Sequence, residues 1–171
     1  MHVLRLEGSR DVRIDQARRV IQRQVKHLAR LLEDLLDVSR IQRGRIAIRR
    51  EIVDLSAMTA EALEDVRHLT QSGKHRLSVS VPPEPLTVEG DPTRLTQALV
   101  NLLSNAAKYT APGGQIAVTG YREGREAVVR VTDSGLGISP ELLPRVFDMF
   151  TQADSTLAHA RGGLGIGLTL V

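Results

Sequence analysis

Between Ile14 and Val38 the chain carries neither glycine nor proline, and its apolar positions recur with a helical beat. Ile14, Ala17, Ile21, Gln24, Leu28, Leu31, Leu35 and Val38 fall at alternating spacings of three and four. Val25, Leu32 and Leu36 broaden that stripe beyond the narrow seam of a two-stranded coiled coil. A helix of this kind needs its apolar face covered, and the width of the stripe predicts a helical bundle. Gly44 is placed to end the helical region. Residues 1–50 hold 13 Lys/Arg against 6 Asp/Glu, a balance of +7, whereas the remainder holds 10 against 14, or −4. The basic excess reads as arginine on a solvated helix face. No aromatic residue for base stacking lies in that segment, so no nucleic-acid partner is expected.

Beyond Gly44 the pattern changes. Arg45–Arg50 alternates apolar and basic residues and predicts a short strand. Asp54 is an N-cap for a helix of about Leu55–Thr70 that stops near Gly73. His75–Val81 alternates as a strand until Pro82, Pro83 and Pro85 break it. Asp91-Pro92 opens a helix through about Ala107. A turn at Pro112-Gly113-Gly114 leads to strands Gln115–Tyr121 and Glu126–Asp133, joined at Glu123-Gly124. Pro140–Val146 reads as a short helix and Phe147–Arg161 as a loop. The glycine-rich run Gly162–Gly167 then enters a helix at Leu168–Val171. Strands and helices in this mixed order predict an α+β sandwich rather than a parallel βαβ sheet. Two domains are expected, residues 1–44 and residues 45–171. With no cysteine, disulfide scaffolds, thiolate metal sites and cysteine nucleophiles are excluded. No apolar run is long enough to span a bilayer and the N-terminus is too charged for a signal peptide, so no membrane contact and a cytoplasmic location are expected.

Three segments carry side chains suited to one ligand. In Asn101-Leu102-Leu103-Ser104-Asn105-Ala106-Ala107-Lys108-Tyr109, the residues Asn101, Asn105 and Lys108 share a helical face. Two amides and an ammonium there can coordinate Mg²⁺ and meet phosphate oxygens. Next, a strand delivers Asp133, followed by Ser134-Gly135-Leu136-Gly137. A carboxylate at a strand end can accept a hydrogen bond from an exocyclic amine such as that of adenine, while glycines let a flat ligand approach the backbone. Last, Gly163, Gly165 and Gly167 lead into a helix, whose N-terminal N–H groups favour anions. No Gly-Lys-Ser/Thr follows, so this is not a Walker A loop, and the glycine spacing is not that of a dinucleotide fold.

Taken together, the order and spacing of these segments resemble the nucleotide site of the GHKL ATPases, and within them the sensor histidine kinases of two-component systems. The Asn105 segment is similar to the asparagine box, the Asp133 segment to the first glycine box and the Gly163 segment to the second. Phe147-Asp148-Met149-Phe150 resembles the phenylalanine box. The likeness covers nearly the whole chain from Asp11. It implies a Bergerat-type α/β sandwich preceded by the second helix of a dimerisation hairpin, supplied by Ile14–Val38. It further implies ATP and Mg²⁺ as cofactors, with Asn105 on the metal, Lys108 at phosphate oxygens and Tyr109 lining the pocket. Asp133 would read the adenine amine, with Gly135 and Gly137 shaping that pocket. Residues 148–162 would form a lid, and Gly163, Gly165 and Gly167 would lie against the phosphates. Asn101 stands where hydrolysing relatives often carry a glutamate base, and an amide cannot take a proton from water, which suits phosphoryl transfer to a side chain.

The implied partners are a second copy or a longer histidine kinase, through Ile14–Val38, and a response-regulator receiver domain. The chain departs from the family pattern in having no phospho-accepting histidine. His2, His27, His68, His75 and His159 all lack the His-Glu-x-x-x-Pro context; His27 lies within the Ile14–Val38 helix, and His68, His75 and His159 read as surface or polar-loop residues. It also stops where relatives continue with a further helix and strands, so a fragment is expected. The expected function is thus the ATP-binding, phosphoryl-donating portion of a sensor kinase; the alternative is a non-catalytic dimerisation module or kinase remnant. An aspartic-protease reading of Asp133-Ser134-Gly135 is rejected, because it needs two carboxylates and leaves the asparagine helix and glycine run unused.

Overall fold

The computed structural model describes residues 48–149, 151 and 165–171, together with Arg18, Ile21 and Val25. The chain divides into two units, Met1–Gly44 and Arg45–Val171. Arg18, Ile21 and Val25 are helical and exposed; the rest of the Ile14–Val38 helix expected from the sequence lies outside the described residues. So do Gly163, His2, His27, His159 and most of the 148–162 segment.

In the second unit the chain runs β1 (Glu51–Asp54), α1 (Leu55–Ser72), β2 (Arg76–Ser80), β3 (Thr87–Gly90), α2 (Pro92–Tyr109), β4 (Gln115–Glu123) and β5 (Glu126–Asp133). Single 3-10 turns follow at Leu143–Arg145 and Gly167–Leu170. The mixed α+β architecture agrees with the sequence reading. The two helices begin where their aspartates stand. Asp54 accepts from the Ser56 N–H at 2.9 Å, and Asp91 accepts from the Arg94 N–H at 3.2 Å with Pro92 in the first turn. These are side-chain caps for otherwise orphaned helix donors.

β1 and β3 pair antiparallel, and β2-β4-β5 form a second sheet in which β2 runs parallel to β4 and β5 antiparallel to it. The parallel pair is possible because β3 and α2 form the crossover between its strands. Register puts Leu77 beside Ile116 and Val79 beside Val118, with Val131 across from Val118. Side chains at paired positions share a face, so these residues look one way while Ser78, Thr119 and Arg130 look the other. The apolar face meets α1 through Leu55, Met58, Ala62 and Val66, and α2 through Leu99, Val100, Leu103 and Ala106. Ile116 and Val118 are fully buried between them. The buried hydroxyl of Thr59 donates to Leu55 O at 2.6 Å, which removes the penalty of an unpaired polar group.

Three elements differ from the sequence reading. Residues 48–50 are not strand; the strand is Glu51–Asp54, set by pairing with Thr87–Gly90, and the Arg49 N–H is drawn instead to Asp91 Oδ2 at 3.1 Å. That partner strand, β3, was not expected after three prolines. Pro140–Val146 contributes only the 3-10 turn Leu143–Arg145 rather than an α-helix. Leu143 is 57% exposed, so it lacks the tertiary burial that sustains a short helix.

Candidate nucleotide site

The topology carries two separated segments to one end of α2. After Tyr109 the chain turns through Pro112-Gly113-Gly114 into β4, and the tight β4–β5 hairpin returns it along the same line. Gly124, at φ 60, supplies the left-handed residue that hairpin needs. The register then places Asp133 across from Ile116, at the start of β4 and therefore close to the end of α2. The junction is sealed by hydrogen bonds. The Ser134 N–H donates to Gln115 O at 3.0 Å, the Gln115 N–H to Ser134 Oγ at 2.9 Å, and the Leu136 N–H to Tyr109 O at 3.3 Å.

Asp133 accepts from the Gly135 N–H through Oδ1 at 2.8 Å, which folds the loop back on the strand. Its other carboxylate oxygen has no hydrogen bond to a described residue, and the side chain is exposed. Gly135 is fixed by space: a Cβ there would sit 2.7 Å from both Asp133 Oδ1 and Tyr109 O. Gly137 is fixed by conformation, at φ 69. Beyond them, the Glu141 carboxyl is held below the usual carboxylate value by its own backbone N–H and the Ser139 hydroxyl.

On α2, Asn101, Asn105, Lys108 and Tyr109 are all half-buried. Lys108 Nζ lies 4.8 Å from the centre of the Tyr109 ring, a cation–π distance. Asn105 makes no hydrogen bond to a described residue. Asn101 Nδ2 donates to Gly167 O at 2.9 Å, so the end of the glycine run rests on the middle of α2. Ile166 is buried beside it, and Gly165 adopts φ 69.

Of the residues singled out in the sequence, the structure thus brings Tyr109, Asp133 and Gly135 together at one end of α2, and Asn101 and Gly167 together farther back. Asn105 and Lys108 lie between them on the helix. Gly163 falls outside the described residues. His68 is exposed, as expected, but His75 is not a plain surface residue: it is half-buried, with Nε2 3.3 Å from Thr110 O. A lone histidine between a helix and a strand gives no sequence signal for that contact. A single amide oxygen at Asn105 suits Mg²⁺, which takes few protein ligands and keeps water and phosphate oxygens. Among the described residues no group of three His, Cys, Asp or Glu gathers for a metal, and no helix is long and apolar enough to cross a membrane.

Residues 90–171 match the family described as histidine kinase-, DNA gyrase B-, and HSP90-like ATPase. The chain is similar to the circadian input-output histidine kinase CikA of Synechococcus elongatus, 34% identical over 147 residues, which are 85% of this chain and 20% of that protein. It thus spans about a fifth of that relative's length. Among solved structures it resembles the mycobacterial sensor histidine kinase MprB, at 33% identity over 71% of this chain and 75% of that one, with TM-score 0.61. Full-length ShkA in complex with AMPPNP is similar at 26% identity over 84% of this chain and 29% of that one, TM-score 0.71. ThkA in complex with the response regulator TrrA is similar at 25% identity over 75% and 38%, TM-score 0.64.

Proposed function

The chain belongs to the sensor histidine kinases, within the histidine kinase-, DNA gyrase B- and HSP90-like ATPases, and we propose that residues 45–171 hold Mg²⁺-ATP and donate its γ-phosphoryl group to a histidine. One observation carries this reading: the Asp133–Gly137 loop and the last residue of the glycine-rich run are both tied to one helix. The Asp133–Gly137 loop is tied to Tyr109 O, and Gly167 is tied to Asn101 Nδ2. The eight steps from Asn101 to Tyr109 rise about 12 Å at 1.5 Å each, room for a ligand with a flat base at one end and anions at the other.

In this reading the unused oxygen of Asp133 would accept from the adenine amine, and Gly135, Gly137 and Tyr109 would line the base. Lys108 faces phosphate oxygens. Gly163, Gly165 and Gly167 would offer backbone N–H groups to the phosphates. Asn105 would contribute an amide oxygen to Mg²⁺, and that metal would supply charge neutralisation on the triphosphate. Asn101 is spent on Gly167 O and is an amide, so it does not activate water. The transfer breaks the bond between the γ-phosphorus and its bridging oxygen and forms one to a histidine nitrogen. This chain holds no histidine in the acceptor context, so that nitrogen belongs to a longer kinase acting through the 1–44 region. A receiver domain of a response regulator then takes the group, in keeping with the ThkA–TrrA complex. A cytoplasmic location, where ATP is available, goes with this reading.

The test is phosphoryl transfer in trans from γ-labelled ATP to a full-length sensor kinase whose own nucleotide site is disabled. Acid-labile label on the acceptor histidine, absent with Asp133→Asn, is expected. Absence of label despite ATP binding would leave a nucleotide-binding dimerisation module.

A further inference from the structure

His75 lies outside all three motifs, yet it is seated between two of the elements that frame the site. Its ring fills the space over Gly73, where a Cβ would come within 2.2 Å of the ring carbon Cε1 and 2.6 Å of Nδ1. Its Nε2 lies 3.3 Å from Thr110 O. A carbonyl only accepts, so Nε2 carries the hydrogen and donates. Nδ1 is buried without a hydrogen-bond partner. The ring is therefore held by shape on one side and by a single polar contact on the other.

That contact acts on the peptide beneath the Asp133 loop. Thr110 is almost wholly buried and directly follows Tyr109, whose own carbonyl accepts from Leu136 and would meet a Cβ at position 135. Consecutive carbonyls are thus fixed from two sides, Thr110 O by His75 and Tyr109 O by the glycine loop. The neighbouring backbone is tied the same way, since the Gly113 N–H donates to Gly73 O at 2.9 Å and the Arg76 N–H to Gly114 O at 2.8 Å. The 73–76 corner and the 110–114 corner therefore form one frame, and the Asp133 loop hangs from it through Gln115, Ser134 and Tyr109.

We infer that His75 is a positioning residue of the nucleotide site: through Thr110 and Tyr109 it sets how the Asp133–Gly137 loop is presented to the base. The inference rests on the nucleotide reading above and names a residue that reading does not use. Losing the donor while keeping an apolar side chain frees the 110–111 peptide, next to the Tyr109 carbonyl that holds the loop, so the loop loosens and base selection suffers before folding does.

The experiment measures Kd for Mg²⁺-ATP and Mg²⁺-GTP, with thermal unfolding, for the wild-type chain and for His75→Leu, His75→Gln and Gly73→Ala. Glutamine can place an N–H near the position of Nε2, and Gly73→Ala displaces the ring without altering it. His75→Leu and Gly73→Ala are expected to weaken ATP binding about tenfold, the worth of one hydrogen bond, and to narrow the ATP-to-GTP preference. His75→Gln is expected to restore both to within about threefold. Wild-type affinity and preference in His75→Leu would overturn the inference. So would a lowered melting temperature with an unchanged ATP-to-GTP ratio, since that is what a purely structural residue produces. A folded wild-type chain that binds no ATP would overturn the nucleotide reading itself, and this inference with it.

Discussion

Gly135 shows how much a single position can report. Its backbone is pressed between Asp133 Oδ1 and Tyr109 O, and a methyl group at 2.7 Å from each has no rotamer with which to escape. Gly135→Ala is therefore expected to push the loop from the end of α2, costing about 1–3 kcal/mol of stability in urea unfolding and weakening ATP binding in the same variant. Stability and affinity both equal to wild type would show that the loop is not held against Tyr109. Asp133 and Asn105 stand out as candidates in the sequence because their spacing from glycines and from each other is unusual. His75 does not, because its contacts are a ring packing over Gly73 and a carbonyl 35 positions away. Asn101 carried a signal, but the sequence could not show that its amide would be taken by Gly167 O.

At the level of elements, the helices were the most legible parts, since each announces itself with an aspartate cap and an amphipathic stripe. The observed bounds, Leu55–Ser72 and Pro92–Tyr109, extend the expected ones by two residues each. Replacing the first cap, Asp54→Ala, is expected to lower the unfolding free energy by about 1 kcal/mol in urea unfolding, and an unchanged midpoint would refute its capping role. Asp91 does more than cap α2, because it also accepts from Arg49 and so pins the entry to β1. The N–H groups of Arg49, Arg94 and Thr93, with the nearby Arg94 charge, hold its carboxyl below the ordinary value of 3.8. A depressed carboxylate contributes stability that is complete above its unfolded value and is lost as pH falls through its folded one. Stability should therefore drop more steeply below pH 3.8 in the wild type than in Asp91→Asn, as followed by chemical unfolding at stepped pH. Parallel curves would contradict that. The strands were less legible. β3 is four residues long and follows three prolines, so only its pairing with β1 defines it, and that pairing is non-local. The same pairing sets β1 at Glu51–Asp54, beyond residues 48–50 of the alternating stretch, whose residues 45–47 lie outside the described residues.

For the molecule as a whole, the fold class was readable because the order of elements and the three motif segments agree with one another. What the sequence could not supply was the junction of those segments, which arises from strand register and from hydrogen bonds across long separations. The proposed site, assembled from Asn101–Tyr109, Asp133–Gly137 and Gly165–Gly167, comes together only in the folded chain, so on this reading ligand binding stabilises folding. At a hundredfold excess of ligand over Kd the linkage is about 2.7 kcal/mol. The decisive measurement is calorimetric titration of the chain with ATP in the presence and absence of Mg²⁺, with Asp133→Asn and Asn105→Ala beside the wild type. Saturable, Mg²⁺-dependent binding by the wild type, lost in both variants, is the predicted result. A folded wild-type chain that takes up no ATP, or variants that bind as tightly as it does, would contradict the assignment of this face of α2 as the nucleotide site.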